Sequence, residues 1–118
     1  MRDFKKVQNK IKGDKGEILV QNFLKAKKYQ ILETNYKNRL GEIDIIAKHE
    51  NVIVFVEVKA RINTDFGRPI EAVNQFKQNK IRKVAELYLQ SKNQYYADVR
   101  FDVVEVLDGE ITHIENAF

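Results

Sequence analysis

Apolar residues recur in two stretches of the chain at the three-to-four spacing that is typical of an amphipathic helix. The first predicts a helix from Asp14 to about Lys27, with lysines on its far side. The second predicts a longer helix that starts at Pro69, a residue tolerated at a helix start, and continues to about Gln90. The two apolar stripes consist of Ile18, Leu19, Phe23 and Leu24, and of Ile70, Val73, Ile81, Val84, Ala85 and Tyr88.

Between and after these helices the pattern changes to β-forming residues and alternation. Two short polar turns, His49-Glu50-Asn51 and Asp108-Gly109, each predict a hairpin, the second with type I′ geometry. The resulting order αβββαββ predicts an α/β (α+β) domain, with a central mixed sheet of about five strands flanked by helices. The predicted strands are Tyr29 to Tyr36, Glu42 to Lys48, Val52 to Ala60, Asp98 to Leu107 and Glu110 to Ile114.

The chain has no internal repeat, low-complexity stretch or linker rich in proline, glycine and serine, so residues 1–118 predict a single domain. Residues 1–12 are rich in lysine, with apolar residues at helical spacing. They predict either the start of the first helix or a mobile basic arm.

The third predicted strand is apolar on both faces, as expected of a central strand covered on both sides. Val52, Val54, Val56 and Val58 share one face. Ile53 and Phe55 share the other face with two charged residues, Glu57 and Lys59. Because burying an ionised group without a partner costs several kcal/mol, these charges need either each other or another strong partner such as a metal ion. A structural Glu57–Lys59 salt bridge explains the pair equally well.

Asp44 favours the metal interpretation. Alternation in the neighbouring strand places Asp44 on one face with Glu42 and Ile46, and places Ile43, Ile45 and Ala47 on the other. If the hairpin register brings Asp44 near Glu57, the two carboxylates repel each other unless a cation lies between them. Mg²⁺ is commonly bound by one or two carboxylates together with water and phosphate oxygens. Lys59 would then hold an attacking water or stabilise charge on the phosphate.

Three more polar residues lie on helix faces that point toward this site. Glu17 shares a face with Val20 and Leu24, but the spacing from Asp14 to Glu17 is also that of a capping box. Lys77 lies on the apolar stripe of the second helix and Gln78 borders it. Snorkelling explains such a lysine, and so does a helix face that overlooks an active site.

Composition excludes several other chemistries. The chain has no cysteine, which rules out thiol nucleophiles and thiolate metal sites and fits a reducing compartment, so we expect a cytoplasmic protein. Ser91 is the only serine and has no nucleophile-elbow context. His49 and His113 lie in or beside predicted turns without the spacing of metal ligands. The longest apolar run, Val52 to Val56, is too short for a membrane span.

The charge distribution points to a phosphate-rich partner. The net charge is +4, yet residues 1–28 carry nine basic and three acidic side chains, and residues 68–97 carry six and two. Residues 98–118 carry one basic and six acidic side chains. Two basic helical segments indicate one positive face, which suits nucleic acid. An ordinary solvated helix surface explains the same counts.

With these residues placed, the chain resembles the PD-(D/E)xK nucleases, and most closely the YraN-like uncharacterised protein family. Ile43 stands where the superfamily name expects proline. The matching stretches cover nearly the whole domain: Gly16-Glu17, Asn35-Tyr36, Gly41 to Ile46, Val54 to Lys59 with Arg61, Phe66-Gly67 with Pro69, Glu71 to Val73, Lys77-Gln78, and Arg100 to Val104.

The resemblance implies a restriction-endonuclease-like fold related to Holliday junction resolvases. In that fold, the acids equivalent to Asp44 and Glu57 bind Mg²⁺ or Mn²⁺, with the Val58 carbonyl as a further candidate ligand, and Lys59 assists catalysis. Glu17 corresponds to the helix-borne acid of such resolvases. Resolvases act as dimers, so the resemblance also implies a homodimer, although no stretch of the sequence marks an interface.

The sequence therefore predicts a metal-dependent DNA endonuclease that acts on branched or structured DNA in repair or recombination. Its candidate catalytic residues are Glu17, Asp44, Glu57 and Lys59, and its candidate nucleic-acid contacts are Arg39, Arg61, Lys77 and Gln78. The alternative is a module of the same fold that binds nucleic acid or protein without catalysis. Intact Asp44, Glu57 and Lys59 argue against it, because a non-catalytic protein has no need for a costly buried cluster.

Overall fold

The computed structural model describes residues 16–61, 73–94 and 97–118. Residues 1–12, predicted as a helix start or basic arm, lie outside the described residues. The first helix, α1, covers residues 16–26. The remaining elements follow in the predicted order: β1 Gln30–Asn38, β2 Gly41–His49, β3 Val52–Arg61, α2 Gln75–Ser91, β4 Asp98–Leu107 and β5 Glu110–Ile114.

The five strands form one mixed sheet in the order β1-β2-β3-β4-β5. All neighbours pair antiparallel except β3 and β4, which run parallel. The parallel pair follows from the chain order, because β3 and β4 are joined through α2 and hairpins join the others. The architecture confirms the predicted α+β class and is compatible with a restriction-endonuclease-like fold.

The turn between β4 and β5 also agrees with the sequence. Asp108 and Gly109 both have positive φ, at 49° and 85°. A type I′ turn requires this at both central residues, and aspartate and glycine tolerate it best. The five-residue strand β5 is therefore held in register with β4, from Val103 opposite Ile114 to Leu107 opposite Glu110.

The sheet separates two apolar cores, as the double-sided pattern of β3 predicts. The α1-side core packs Val20 and Leu24 of α1 against Val54 and Val56. The α2-side core packs residues such as Ile81 and Val84 of α2 against Ile53 and Phe55. Both faces of β3 are thus covered, and Val54 and Val56 are fully buried.

One predicted face assignment is wrong. Ile43 was expected on the face opposite Ile46, but both lie in the α2-side core. The alternation breaks at Asp44, between Ile43 in the α2-side core and Ile45 in the α1-side core. On the neighbouring strand, Asn35 of β1 adopts a left-handed conformation, with φ of 50°. It lies between Thr34, which pairs with Ile45, and Tyr36, which pairs with Ile43. Asparagine is one of the few residues that adopts this conformation readily.

The second helix begins later than predicted. It starts at Gln75, with Asn74 in an extended conformation at the N-cap. The Asn74 side chain accepts a hydrogen bond from the backbone N–H of Lys77 at 2.9 Å, which satisfies one of the free donors at a helix start. Val73 precedes the cap and is still buried in the α2-side core. Pro69, the expected start, lies outside the described residues.

A buried acid, Asp102 of β4, ties the sheet to the segment after β5. Its two oxygens accept four hydrogen bonds: two from the Arg100 guanidinium, one from the His113 ring and one from the backbone N–H of Asn116. The Lys27 ammonium lies 2.9 Å from Nδ1 of His113. Since an ammonium can only donate, Nε2 carries the ring proton and donates it to Asp102.

No helix in the described parts of the chain is both long and apolar enough to cross a membrane.

Candidate active site

Asp44 marks the point where β2 separates from β3. The two strands pair from His49 opposite Val52 to Ile45 opposite Val56, and the pairing ends there. Beyond that point the Asp44 side chain takes the place of a strand partner: its Oδ2 accepts the backbone N–H of Val58 at 2.8 Å. The carboxylate is thereby fixed beside β3, next to the residue that follows Glu57.

Glu57 lies on β3 at the same end of the sheet and is only 8% exposed. Two lysines balance its charge. Lys77, on the first turn of α2, places Nζ 2.8 Å from Glu57 Oε1, and Lys59 of β3 places Nζ 3.6 Å from the same oxygen. The predicted Glu57–Lys59 pair is confirmed, and the closer partner is the lysine that lies on the apolar stripe of α2.

Burial and neighbouring charges shift the pKa values of three side chains in this cluster from their ordinary values. Burial and then the charge of Glu57 raise the pKa of Asp44 to about 7, against the lowering effect of the hydrogen bond from Val58. Burial, followed by the hydrogen bond and charge of Lys77, lowers the pKa of Lys59. Burial also acts to lower the pKa of Lys77, but its hydrogen bonds with Glu57 and Lys59 outweigh it and raise that pKa.

Glu17 of α1 belongs to the same electrostatic environment, because its charge is one of the causes that raise the pKa of Asp44. Its position depends on Gly16. A Cβ atom built on Gly16 would lie 2.8 Å from the Cβ of Ala60, closer than real Cβ atoms approach. Within the described residues, α1 can approach the end of β3 this closely at residue 16 because that residue has no side chain, and Glu17 is the next residue of the helix.

Not every predicted residue joins the cluster. Gln78 lies at the start of α2, where its side-chain amide donates to the Val73 carbonyl at 2.8 Å and helps to hold the segment that enters the helix. Arg39 lines a separate shallow depression with Lys83 and Glu86. Arg61 ends β3, and its side chain lies outside the described residues, so its expected phosphate contact stays a prediction.

A groove that the sequence did not reveal adjoins the cluster. It has a volume of about 560 Å³ and lies between the β1–β2 hairpin and the start of α2. Lys37, Lys77 and Lys80 line it, together with Glu42 and Phe76; we call it the lysine groove. Phe76 is 78% exposed. The available signal in the sequence was a phenylalanine off the apolar stripe of α2, directly beside Lys77.

The donor set suits a hard divalent cation. Asp44 and Glu57 supply carboxylate oxygens, which are the ligands that Mg²⁺ prefers, and the repulsion between them is what a cation would relieve. Within residues 16–61, 73–94 and 97–118, no three His, Asp or Glu side chains are grouped as a metal site. Two protein carboxylates with water and phosphate oxygens are nevertheless a sufficient set for Mg²⁺.

Comparison with known proteins identifies the family. The chain matches the model of the uncharacterised protein family UPF0102 over residues 16–106. It is 50% identical over 114 residues to a UPF0102 protein of Clostridioides difficile (strain 630), which covers 95% of this chain and 100% of that protein. It is 47% identical over 121 residues to a UPF0102 protein of Caldanaerobacter subterraneus subsp. tengcongensis, covering 97% and 99% of the two chains.

A third relative, from Alkaliphilus oremlandii, is 52% identical over 116 residues, covering 93% of this chain and 99% of that one. The chain therefore belongs to the uncharacterised protein family UPF0102, which confirms the resemblance to the YraN-like family.

Proposed function

We propose that this UPF0102 protein is a metal-dependent endonuclease that hydrolyses phosphodiester bonds of DNA. The observation that carries the proposal is the meeting of two carboxylates where β2 leaves β3: Asp44 accepts the N–H of Val58, one residue after the buried Glu57. Lys59 and Lys77 complete the cluster from β3 and α2. Carboxylates that can bind a metal ion, with amines that can stabilise phosphate charge, are the groups that phosphodiester hydrolysis requires.

Mg²⁺ or Mn²⁺ is the cofactor that this donor set fits. Asp44 and Glu57 would hold it, with Glu17 and the Val58 carbonyl as further ligands. Bound there, the cation would supply Lewis-acid stabilisation of phosphate charge and a more acidic water. Lys59, with Nζ 3.6 Å from Glu57 Oε1, would orient the attacking water or stabilise charge on the phosphate. Lys77 lies on the border between the cluster and the lysine groove and would contact the substrate backbone.

For the substrate, we propose branched or structured DNA of repair or recombination, which is what the likeness to Holliday junction resolvases implies. The same likeness is the reason to propose a homodimer. We also propose a cytoplasmic location, which the lack of cysteine favours and which suits an enzyme of DNA repair or recombination.

The test is cleavage by the purified full chain. Branched, flapped and single-stranded DNA are incubated with Mg²⁺ or Mn²⁺, and products are resolved on denaturing gels. We expect Glu57→Gln and Asp44→Asn to lower the cleavage rate by roughly 100-fold or more, the loss typical when one charged or hydrogen-bonding group of a site is removed. The control is Glu86→Gln, which makes the same acid-to-amide change at an exposed position of α2. It should cleave DNA at the parent's rate.

Folding is checked for each variant by far-ultraviolet circular dichroism, since Glu57 is buried. If no substrate is cut, or if folded Glu57→Gln cuts as fast as the parent, the endonuclease assignment is wrong.

A second candidate function is a non-catalytic module that binds nucleic acid or protein. The observation in its favour is that Lys77 and Lys59 already balance Glu57 without a metal ion. A Mn²⁺ titration separates the two. The endonuclease should bind Mn²⁺ with a stoichiometry that Asp44→Ala abolishes, whereas a binding module should show salt-sensitive DNA affinity that does not depend on metal.

A further inference from the structure

The lysine groove presents an unusual pair of features for a surface. Phe76 is 78% exposed, whereas Tyr88 and Phe55 are buried in the α2-side core and Tyr36 and Phe101 pack against it partly buried. Lys37, Lys77 and Lys80 line the same groove. A single exposed phenylalanine is common on protein surfaces, but Phe76 lines a groove together with three lysines. This combination complements a ligand that has both a flat apolar face and negative charge.

Nucleotides unite those two properties. A phosphate backbone supplies the negative charge, and every base has a π-face that can stack on an aromatic ring. In a duplex, neighbouring bases cover these faces, so a protein ring reaches them only in a single strand or after a base has been flipped out. The groove volume of about 560 Å³ lies within the range of about 300 to 1,000 Å³ that holds one small ligand, rather than a whole duplex.

We propose that the lysine groove binds single-stranded nucleic acid, with Phe76 stacking on a base and the lysines contacting its backbone. The inference rests on the proposed function in one respect: Lys77 also contacts Glu57 at 2.8 Å, so a strand in the groove would enter the candidate active site. The substrate class that follows is DNA with an unpaired segment next to the bond that is cut. Glu42, the acid of the groove, limits how closely a phosphate can approach the hairpin side.

Binding is measured without metal, so that cleavage has no part in it. The full chain in EDTA is titrated against fluorescein-labelled dT12, rU12 and a 12-base-pair duplex, and anisotropy gives the affinities. Phe76→Leu keeps an apolar side chain and removes the ring. We expect it to weaken binding of the single strand by roughly 5- to 100-fold, the range for loss of one stacked base, and to change duplex binding less than 2-fold.

A fluorescent reporter supplies an independent readout. The chain contains no tryptophan, so Phe76→Trp introduces a single one that keeps a stacking surface. Its emission should be quenched by dT12, rU12 or both, and the stronger response identifies the preferred sugar. Val99→Trp is the matched control, because Val99 is 40% exposed at the end of β4 that pairs with Ile53, and it does not line the groove. It should not be quenched.

The contribution of charge is tested with salt. For single strands, the slope of log affinity against log salt is about −0.7 for each phosphate neutralised. Lys80→Gln should therefore reduce that slope by roughly 0.7, while Lys83→Gln, on the same helix but in the other depression, should leave it unchanged.

Three results would each overturn the groove proposal: parent-like binding of dT12 and rU12 by Phe76→Leu, an unquenched Phe76→Trp, or equal weakening of single strand and duplex. The first of these is also what a groove for a protein partner predicts. Failure of the endonuclease assignment gives a different result, namely Phe76-dependent binding of single strands with no cleavage under any metal.

Discussion

Replacement of Gly16 by alanine tests the contact that positions α1. The added Cβ would lie 2.8 Å from the Cβ of Ala60, whereas two carbon atoms in contact prefer about 3.5 to 4.0 Å. The helix must therefore move by roughly 1 Å, and overpacking of this kind typically costs about 1 to 3 kcal/mol. The gain in helix propensity on replacing glycine with alanine offsets up to about 1 kcal/mol. We expect Gly16→Ala to be about 1 to 2 kcal/mol less stable than the parent.

Urea denaturation followed by circular dichroism measures this difference. With a slope of about 2 kcal/mol per molar urea, the middle of the usual range, the midpoint should fall by roughly 0.5 to 1 M. Ala60→Gly removes the atom on the other side of the contact, so the double variant Gly16→Ala with Ala60→Gly should recover most of the loss attributed to the clash. The double-mutant cycle should give a coupling of about 1 kcal/mol or more.

A gain in stability for Gly16→Ala would contradict the contact between residue 16 and Ala60. If Gly16→Ala is more stable than the parent by about 1 kcal/mol, as helix propensity alone predicts, α1 does not rest on Ala60. Zero coupling in the cycle would lead to the same conclusion. In that case Gly16 is not what brings Glu17 close to Asp44.

Two further predictions concern the buried charges. Lys77→Met leaves Glu57 with the more distant Lys59, so in EDTA the variant should lose about 1 to 3 kcal/mol of unfolding free energy. The control Lys80→Met, at an exposed position on the same helix, should change the unfolding free energy by less than about 0.5 kcal/mol. Equal effects of the two variants would contradict the Lys77–Glu57 ion pair. For Asp102, burial alone raises the pKa, but hydrogen bonds from His113, Arg100 and the Asn116 backbone outweigh it and lower the pKa below its ordinary value of 3.8. The stability that ionised Asp102 contributes is therefore complete above pH 3.8 and is lost as the pH falls through the lower folded pKa. Asp102→Asn should be less stable than the parent at pH 7, and the difference between their urea midpoints should shrink at strongly acidic pH.

The sequence predicted the sheet well because its pattern contains the information for the strands. The bounds of β4 and β5 agree with the prediction, since alternation fixes the faces and Asp108-Gly109 fixes the turn. The two-sided burial of β3 follows from its apolar residues in the same way. The start of α2 was misplaced because the apolar spacing continues through Val73, while the local hydrogen bond of the Asn74 side chain decides where the helix begins.

The candidate site was predictable as a set of residues but not as a geometry. Asp44 and Glu57 were identified because charges in apolar strands break the local pattern. Their proximity depends on where β2 stops pairing with β3 and on the break in alternation at Asp44, and no periodicity encodes either. For the same reason, the sequence placed Lys77 on the α2 stripe without showing that it is the nearest cation to Glu57. The phosphate contact expected of Gln78 stays a prediction, and the structure adds that its amide donates to the Val73 carbonyl.

Asp102, which is buried, and Asp44, which is half-buried, show how a structural acid differs from a candidate functional one. Asp102 receives four hydrogen bonds, two of them from a guanidinium, and these partners lower its pKa. Asp44 accepts the N–H of Val58 but faces the charges of Glu57 and Glu17, so burial and repulsion raise its pKa. An acid with only a structural role is stabilised when its oxygens accept hydrogen bonds from nearby donors, as those of Asp102 do. An acid held next to like charges costs stability, and a cation that binds between the carboxylates is the partner that would reverse this cost.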